Sequence, residues 1–314
     1  MKWTTAFVLL CSVAGCGWNT LPYQGSVYID QPLWNAAGVV VAENDLYVPL
    51  PYSGGLALVQ SDGTSRRVDI GEGRLNRLQA SPTGSSIIAI VDRYSCDVDD
   101  PREQRTIKDI RDCPYDELQT VSRVELIRDG DVTQTIDVSG SYNNITFSDD
   151  DRFAIAFLDS SDPDFSAQGV VDLTSVMVLD LQNNTATAAR VGFSANRVLF
   201  TYDADGQANR AVVLSQNTVA VVDLFSSPPA VDVTFPLTLD PDSSVTPVGV
   251  ELTPDGQYAL ISVAGKSDLY ALDLINHSVN MIELSGTPAA MVVNEATDQT
   301  LLVFSNAATA EVLT

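Results

Sequence analysis

Val248-Gly249-Val250-Glu251-Leu252, Thr253-Pro254-Asp255-Gly256 and Tyr258-Ala259-Leu260-Ile261-Ser262-Val263 form the stretch that decides the fold. Two short apolar, β-branched runs flank a Pro-Asp-Gly turn, a pattern that predicts strands and not helices. The grammar continues through Ala264-Gly265-Lys266-Ser267 into Leu269-Tyr270-Ala271-Leu272-Asp273-Leu274. Asn276-His277 follows, and then Val279-Asn280-Met281-Ile282-Glu283-Leu284. Strand, turn, strand, turn, strand, turn, strand predicts one antiparallel four-stranded sheet.

The same unit recurs outward from this stretch. Ser81-Pro82-Thr83-Gly84 precedes Ile87–Val91, and Ser148-Asp149-Asp150-Asp151 precedes Phe153–Phe157. Ser194-Ala195-Asn196 precedes Val198–Phe200, and Asn294-Glu295-Ala296-Thr297 precedes Leu301–Phe304. The third-strand pattern returns as Val176–Leu181 and Val219–Leu224, each ending in Asp-Leu. Asp62-Gly63, Asp129-Gly130 and Asn183-Asn184 supply residues that tolerate the positive φ of tight hairpin turns. A four-stranded unit of about 40 to 50 residues is the size of a propeller blade.

The repeated turn and the Leu-Asp-Leu strand resemble those of bacterial WD40-like and YVTN-type β-propellers, over roughly residues 37–314. The resemblance implies an all-β propeller of four-stranded antiparallel blades and says little about function. Six units begin near residues 37, 76, 141, 190, 246 and 287, the last reaching only a third strand at Thr314. Ser26-Val27-Tyr28-Ile29 supplies a fourth strand in a six-bladed ring; the expectation favoured here is a truncated seven-bladed one.

The first residues address the chain. Lys2 and the apolar run from Ala6 read as a signal peptide, because the run is shorter than the roughly 20 residues a membrane span needs. Val13-Ala14-Gly15-Cys16 resembles a bacterial lipobox, which implies cleavage before Cys16 and lipidation of its sulfur. The expected division is a lipoprotein signal peptide over 1–15, a lipidated tether over 16–36 carrying Trp18 and Trp34, and the propeller over 37–314. The implied location is the cell envelope, with Gly17 after the lipidated Cys pointing to the outer membrane. In such an oxidising compartment Cys96 and Cys113 are expected to form a disulfide.

A formal charge of −24 and only three lysines argue against nucleic-acid binding, since a phosphate-binding surface needs clustered Lys and Arg. The carboxylates concentrate in connections expected on one rim: Asp97, Asp99 and Asp100; Asp159, Asp162 and Asp164; Asp203 and Asp205; Asp240 and Asp242. Such a rim suits Ca²⁺ or a cationic partner, although Asp also favours turns by hydrogen-bonding its own backbone. Asp203-Ala204-Asp205-Gly206 resembles the start of a calcium loop but lacks a distal Glu. Catalytic patterns are weak. His277, the sole histidine, is expected in a turn on the opposite face, and no nucleophile elbow or phosphate loop is visible. The leading expectation is a non-enzymatic binding or scaffold module for a protein or glycan. The alternative is a lactonase-like hydrolase using carboxylates and a divalent metal.

Overall fold

In the computed structural model the described residues are 38–50, 55–71, 73–96, 118–139, 142–160, 172–238, 240, 245–294, 296–297, 299–304 and 310–313. Met1–Ala36, which holds the signal, the lipidation residue Cys16 and the tether, lies outside them, as does the connection with Cys113. Ala37–Thr314 forms one unit.

Among the described residues, twenty-three strands assemble in chain order into six antiparallel sheets. Blade one is β1 (Val40–Ala42), β2 (Asp45–Leu50), β3 (Gly55–Val59) and β4 (Ser65–Asp69). Blade two is β5 (Arg74–Ala80), β6 (Ile87–Cys96), β7 (Leu118–Arg128) and β8 (Asp131–Ser139). Blade three is β9 (Asn144–Phe147), β10 (Phe153–Phe157), β11 (Ser175–Asp180) and β12 (Thr185–Arg190). Blade four is β13 (Arg197–Tyr202), β14 (Ala208–Leu214), β15 (Thr218–Asp223) and β16 (Ala230–Pro236). Blade five is β17 (Pro247–Leu252), β18 (Tyr258–Val263), β19 (Asp268–Asp273) and β20 (Ser278–Glu283). Blade six has β21 (Pro288–Asn294), β22 (Gln299–Phe304) and β23 (Ala310–Leu313).

Burial follows strand position. Phe153–Phe157 is buried at every residue, because both faces of this second strand meet a neighbouring blade. The fourth strand β16 alternates between exposed and covered residues, with Phe235 buried. Among the described residues, five apolar clusters lie between successive blades. Leu56, Leu58 and Val68 of blade one meet Ile87 and Ala89 of blade two, and Ile88 and Val124 meet Phe147 and Met177 of blade three. Val176 and Phe153 then meet Phe200 and Val213 of blade four. Val221 and Phe235 meet Ile261 and Tyr270 of blade five, and Leu269 meets Met291 and Phe304 of blade six. Burying one such side chain contributes roughly 1.5–3 kcal/mol, so blade-on-blade packing is the main stabilising contact. Separate sheets in sequence, each packed face to face on the next, define a β-propeller.

Because strands alternate in direction, every blade has two ends. The first-to-second and third-to-fourth turns share one end, called here the turn end. Second-to-third connections and the links between blades share the other, the loop end.

Candidate functional site

The turn end is closed by short turns that tie blades together. Asp151, at φ +54°, accepts hydrogen bonds from Ser81 Oγ at 2.9 Å, Ser85 Oγ at 2.7 Å and the hydroxyl of Thr83, joining blades two and three. Asp150 Oδ2 accepts the Ala208 N–H at 2.9 Å, and the Asp149 N–H donates to Tyr202 Oη at 2.7 Å, joining blades three and four. Burial pushes the Tyr202 phenol well above its ordinary range. Arg152 donates to Gln207 Oε1 at 3.0 Å, and its guanidinium lies 4.7 Å from the Phe225 ring centroid. Arg66 of β4 reaches across to Asp131 Oδ1 at 2.8 Å and to the Asp129 carbonyl at 3.1 Å. His277, in the β19–β20 turn as expected, sits 3.2 Å from Asp232 Oδ2 of blade four.

The Asp of the Leu-Asp-Leu pattern has a structural task at this same end. Asp273 accepts the N–H groups of Ile275 at 3.0 Å and Asn276 at 2.8 Å, and the Asn276 amide at 2.9 Å. Asp180 repeats the arrangement with Gln182 and Asn183, and Asp223 with Phe225 and Ser226. Hydrogen bonds to the charged form favour it. The donors from Asn276 accordingly hold the Asp273 carboxyl down at about 2. Asp62 and Asp172 are lowered as well, chiefly by hydroxyl donors, Thr64 on the first and Ser175 with Thr174 on the second.

These three groups set an acid limit. A folded-state value below the unfolded one, about 3.9 for Asp, stabilises the fold above that pH and ceases to do so as pH falls toward 2. The urea midpoint is therefore expected to drop between pH 5 and pH 2.5, and Asp273→Asn should flatten that limb. An unchanged slope in the variant would count against the assignment.

The loop end carries the long connections, 97–117 between β6 and β7, 158–174 between β10 and β11, and 237–246 between blades four and five. Asp97, Asp99, Asp100, Asp162, Asp164 and Asp242 fall outside the described residues. Cys96 closes β6 with its backbone paired to Leu118, and its expected bond to Cys113 also lies outside them. Asp159 is at the loop end as expected, its N–H bound to Asn143 Oδ1 at 2.7 Å. Asp240 is exposed there, with its N–H on Thr238 Oγ1 at 3.1 Å.

Asp203 and Asp205 are a correction. Arg197–Tyr202 is the first strand of blade four and not its second, so Asp203-Ala204-Asp205-Gly206 is a first-to-second turn at the opposite end. Asp203 Oδ1 accepts the N–H groups of Asp205 and Gln207, both at 2.9 Å, which is turn capping. Ser194-Ala195-Asn196, expected as that turn, is instead part of the link between blades three and four.

A buried polar cluster at the loop end of blades two and three escaped the sequence reading. Asp92, 6 % exposed, accepts Ser122 Oγ at 2.7 Å and Asn76 Nδ2 at 2.9 Å, and Asn76 also donates to the Tyr142 carbonyl at 2.7 Å. Burial, with Asp172 nearby, pushes the Tyr142 phenol up to about 12. The only signal in the sequence was an Asp directly after the apolar run Ile87–Val91. Further along the innermost strands, Arg77 Nη2 lies 3.5 Å from Asn144 Oδ1. Burial raises Glu251, and the charge of Arg197 opposes that shift. Among the described residues no three His, Cys, Asp or Glu side chains come together as a metal site.

The fold thus defines a β-propeller with one structural end and one loop-bearing end. No family model matches the chain, and no curated protein matches it in sequence. Among solved structures, it is similar to a functionally unknown protein from Desulfotomaculum acetoxidans, at 11% identity and TM-score 0.40, covering 82% of this chain and 72% of that one. It is also similar to the β-propeller domain of Cps50 (Swd1) from Myceliophteria thermophila, at 10% identity and TM-score 0.40, covering 88% of this chain and 96% of that one.

Proposed function

We propose that this chain is a lipid-anchored envelope protein whose loop end binds a partner protein. The observation that supports it is the division of labour between the two ends. Tight, cross-blade hydrogen-bonded turns occupy one end, and the long connections 97–117, 158–174 and 237–246 all leave from the other. Binding groups concentrate on loops held by a rigid scaffold. The longest connection carries both signs of charge, with Arg102, Arg105, Lys108 and Arg111 beside Asp97, Asp99, Asp100 and Asp109. Mixed charge of this kind favours selection of a complementary protein surface. The acidic groups also keep Ca²⁺ in view as a ligand that orders the loops, whereas the hydrolase reading draws no support from the described residues. Attachment at Cys16 places the propeller at a membrane, and the outer membrane is the proposed one.

The test is site-specific photocrosslinking in the native envelope. A photoreactive side chain in place of Val98, within the connection 97–117, should capture a protein, and one at Asp205, on the turn end, should not. Capture from Asp205 alone, or equally from both, would sink the proposal. Cys16→Ser should move the protein from the membrane to the soluble fraction, and unchanged fractionation would refute the anchor.

A further inference from the structure

Among the described residues, blades one to five each present a fourth strand as an outer edge, paired on one side only. Four of these edges carry charge or proline. Strand β4 has Arg66 and Arg67, β8 has Asp131 and Asp137, β12 has Arg190, and β16 has Asp232 and Pro236. Such residues keep an edge from pairing with another chain. The fifth edge, β20, is different. Val279 is 41 % exposed and Met281 62 %, and among the described residues no other fourth strand exposes a large apolar side chain. Val279 stands opposite Leu272 and Met281 opposite Tyr270. Both therefore point to the face that meets blade four, where Leu272 and Tyr270 are buried. His277, just before the strand, lies on the same side, with its Nε2 3.2 Å from Asp232 Oδ2 of blade four. Glu283 ends the row, exposed and directly opposite Asp268 of its own blade. Like charges in that position destabilise a sheet.

The row His277, Val279, Met281, Glu283 is self-complementary. From it we propose that β20 pairs edge to edge with β20 of a second copy of this chain, antiparallel about a two-fold axis at Asn280. A two-fold contact sets residue i of one copy against j of the other, and j against i. With Asn280 on the axis, Val279 of each copy meets Met281 of the other, and His277 of each meets Glu283. The imidazole then sits beside a carboxylate that has only Asp268 across from it in its own blade. Neighbouring registers lose both matches. An axis at Val279 sets Met281 against His277, and an axis at Met281 sets Val279 against Glu283. This single matched register is what selects a second copy over an unrelated chain or another segment of this one. Antiparallel pairing points the loop ends of the two copies in opposite directions. Both loop ends stay open, so the pairing does not depend on the partner proposed there.

The test is disulfide trapping of the purified full-length chain under a mild oxidant. Residues directly opposite in an antiparallel pair have Cα atoms about 4.5–5.5 Å apart, within the span of a disulfide. Asn280→Cys is expected to give a covalent homodimer on non-reducing gels, at least tenfold above the parent chain and above Glu283→Cys. In the proposed register the two copies of residue 283 stand about 20 Å apart along the strands. Adding Met281→Lys to Asn280→Cys should cut trapping at least tenfold without moving the melting curve, since this side chain is exposed in the single copy. Light scattering of the parent chain should give the mass of a dimer, and Met281→Lys that of a monomer. Four results would overturn the proposal. They are no trapping at 280, equal trapping at 280 and 283, trapping indifferent to Met281→Lys, and a monomer's mass for the parent chain at the concentration used for trapping.

Discussion

Arg123→Met is expected to destabilise the protein by about 3–5 kcal/mol, the usual cost of leaving a buried ion without its partner. Glu125 and Arg123 share β7 and the same sheet face, two residues apart. Arg123 Nη1 donates to Glu125 Oε1 at 3.0 Å, with side chains 18 % and 2 % exposed. The Thr135 hydroxyl also donates to Glu125, and Asp137 lies 3.7 Å from Arg123 Nε. Removing the guanidinium leaves a carboxylate in a region of low dielectric with one neutral donor. Taking out both charges, as Arg123→Met with Glu125→Leu, should recover most of the loss, because apolar side chains of similar volume replace a buried pair at little net cost. Urea denaturation at neutral pH measures both variants. A single variant within about 1 kcal/mol of the parent would show that water reaches the pair.

The second large effect is expected from Phe153→Ala. Phe153 is 1 % exposed in the core between blades three and four. Its ring meets Phe225 edge-on at 6.0 Å, and the Arg152 guanidinium lies 5.0 Å from its centroid. Truncating a buried Phe typically costs about 3–5 kcal/mol, part lost transfer energy and part cavity. Phe225→Ala removes the exposed partner of the same pair and should cost less than about 1.5 kcal/mol, the worth of an aromatic contact. The ordering carries the claim. If the two variants melt together, blade-on-blade burial is not what holds these sheets.

Much of the fold was legible because its determinants are local. Thr253-Pro254-Asp255-Gly256 announces its turn through residues that are contiguous. Thr253 Oγ1 donates to Asp255 Oδ1 at 2.6 Å, and Asp255 Oδ1 accepts the Gln257 N–H at 3.0 Å. Asp129-Gly130, at φ +50° and +77°, forms the β7–β8 turn as expected. The site was less legible. Asp203-Ala204-Asp205-Gly206 fits a turn cap and a cation loop equally well, since both use carboxylate oxygens near backbone N–H groups. What separates the two is which strand lies on either side. Arg197–Tyr202 looks like a second strand in isolation, and only its pairing with Ala208–Leu214 alone makes it the first. Asp92 was missed for a similar reason, because its donors Asn76 and Ser122 come from two other strands.

By itself, then, the sequence determined an all-β chain, the positions and types of most turns, and a repeat of four-stranded units. Alternation, β-branching and turn residues act within a few positions of one another, so they can be read in one dimension. Tertiary structure alone decided which end of the blades each carboxylate occupies and which aspartates are already engaged as caps or inter-blade ties. It also decided which apolar rows are covered. Those outcomes depend on strand register and blade-to-blade contact between residues distant in the chain, as with Asp151 held by Ser81 and Ser85 of the preceding blade.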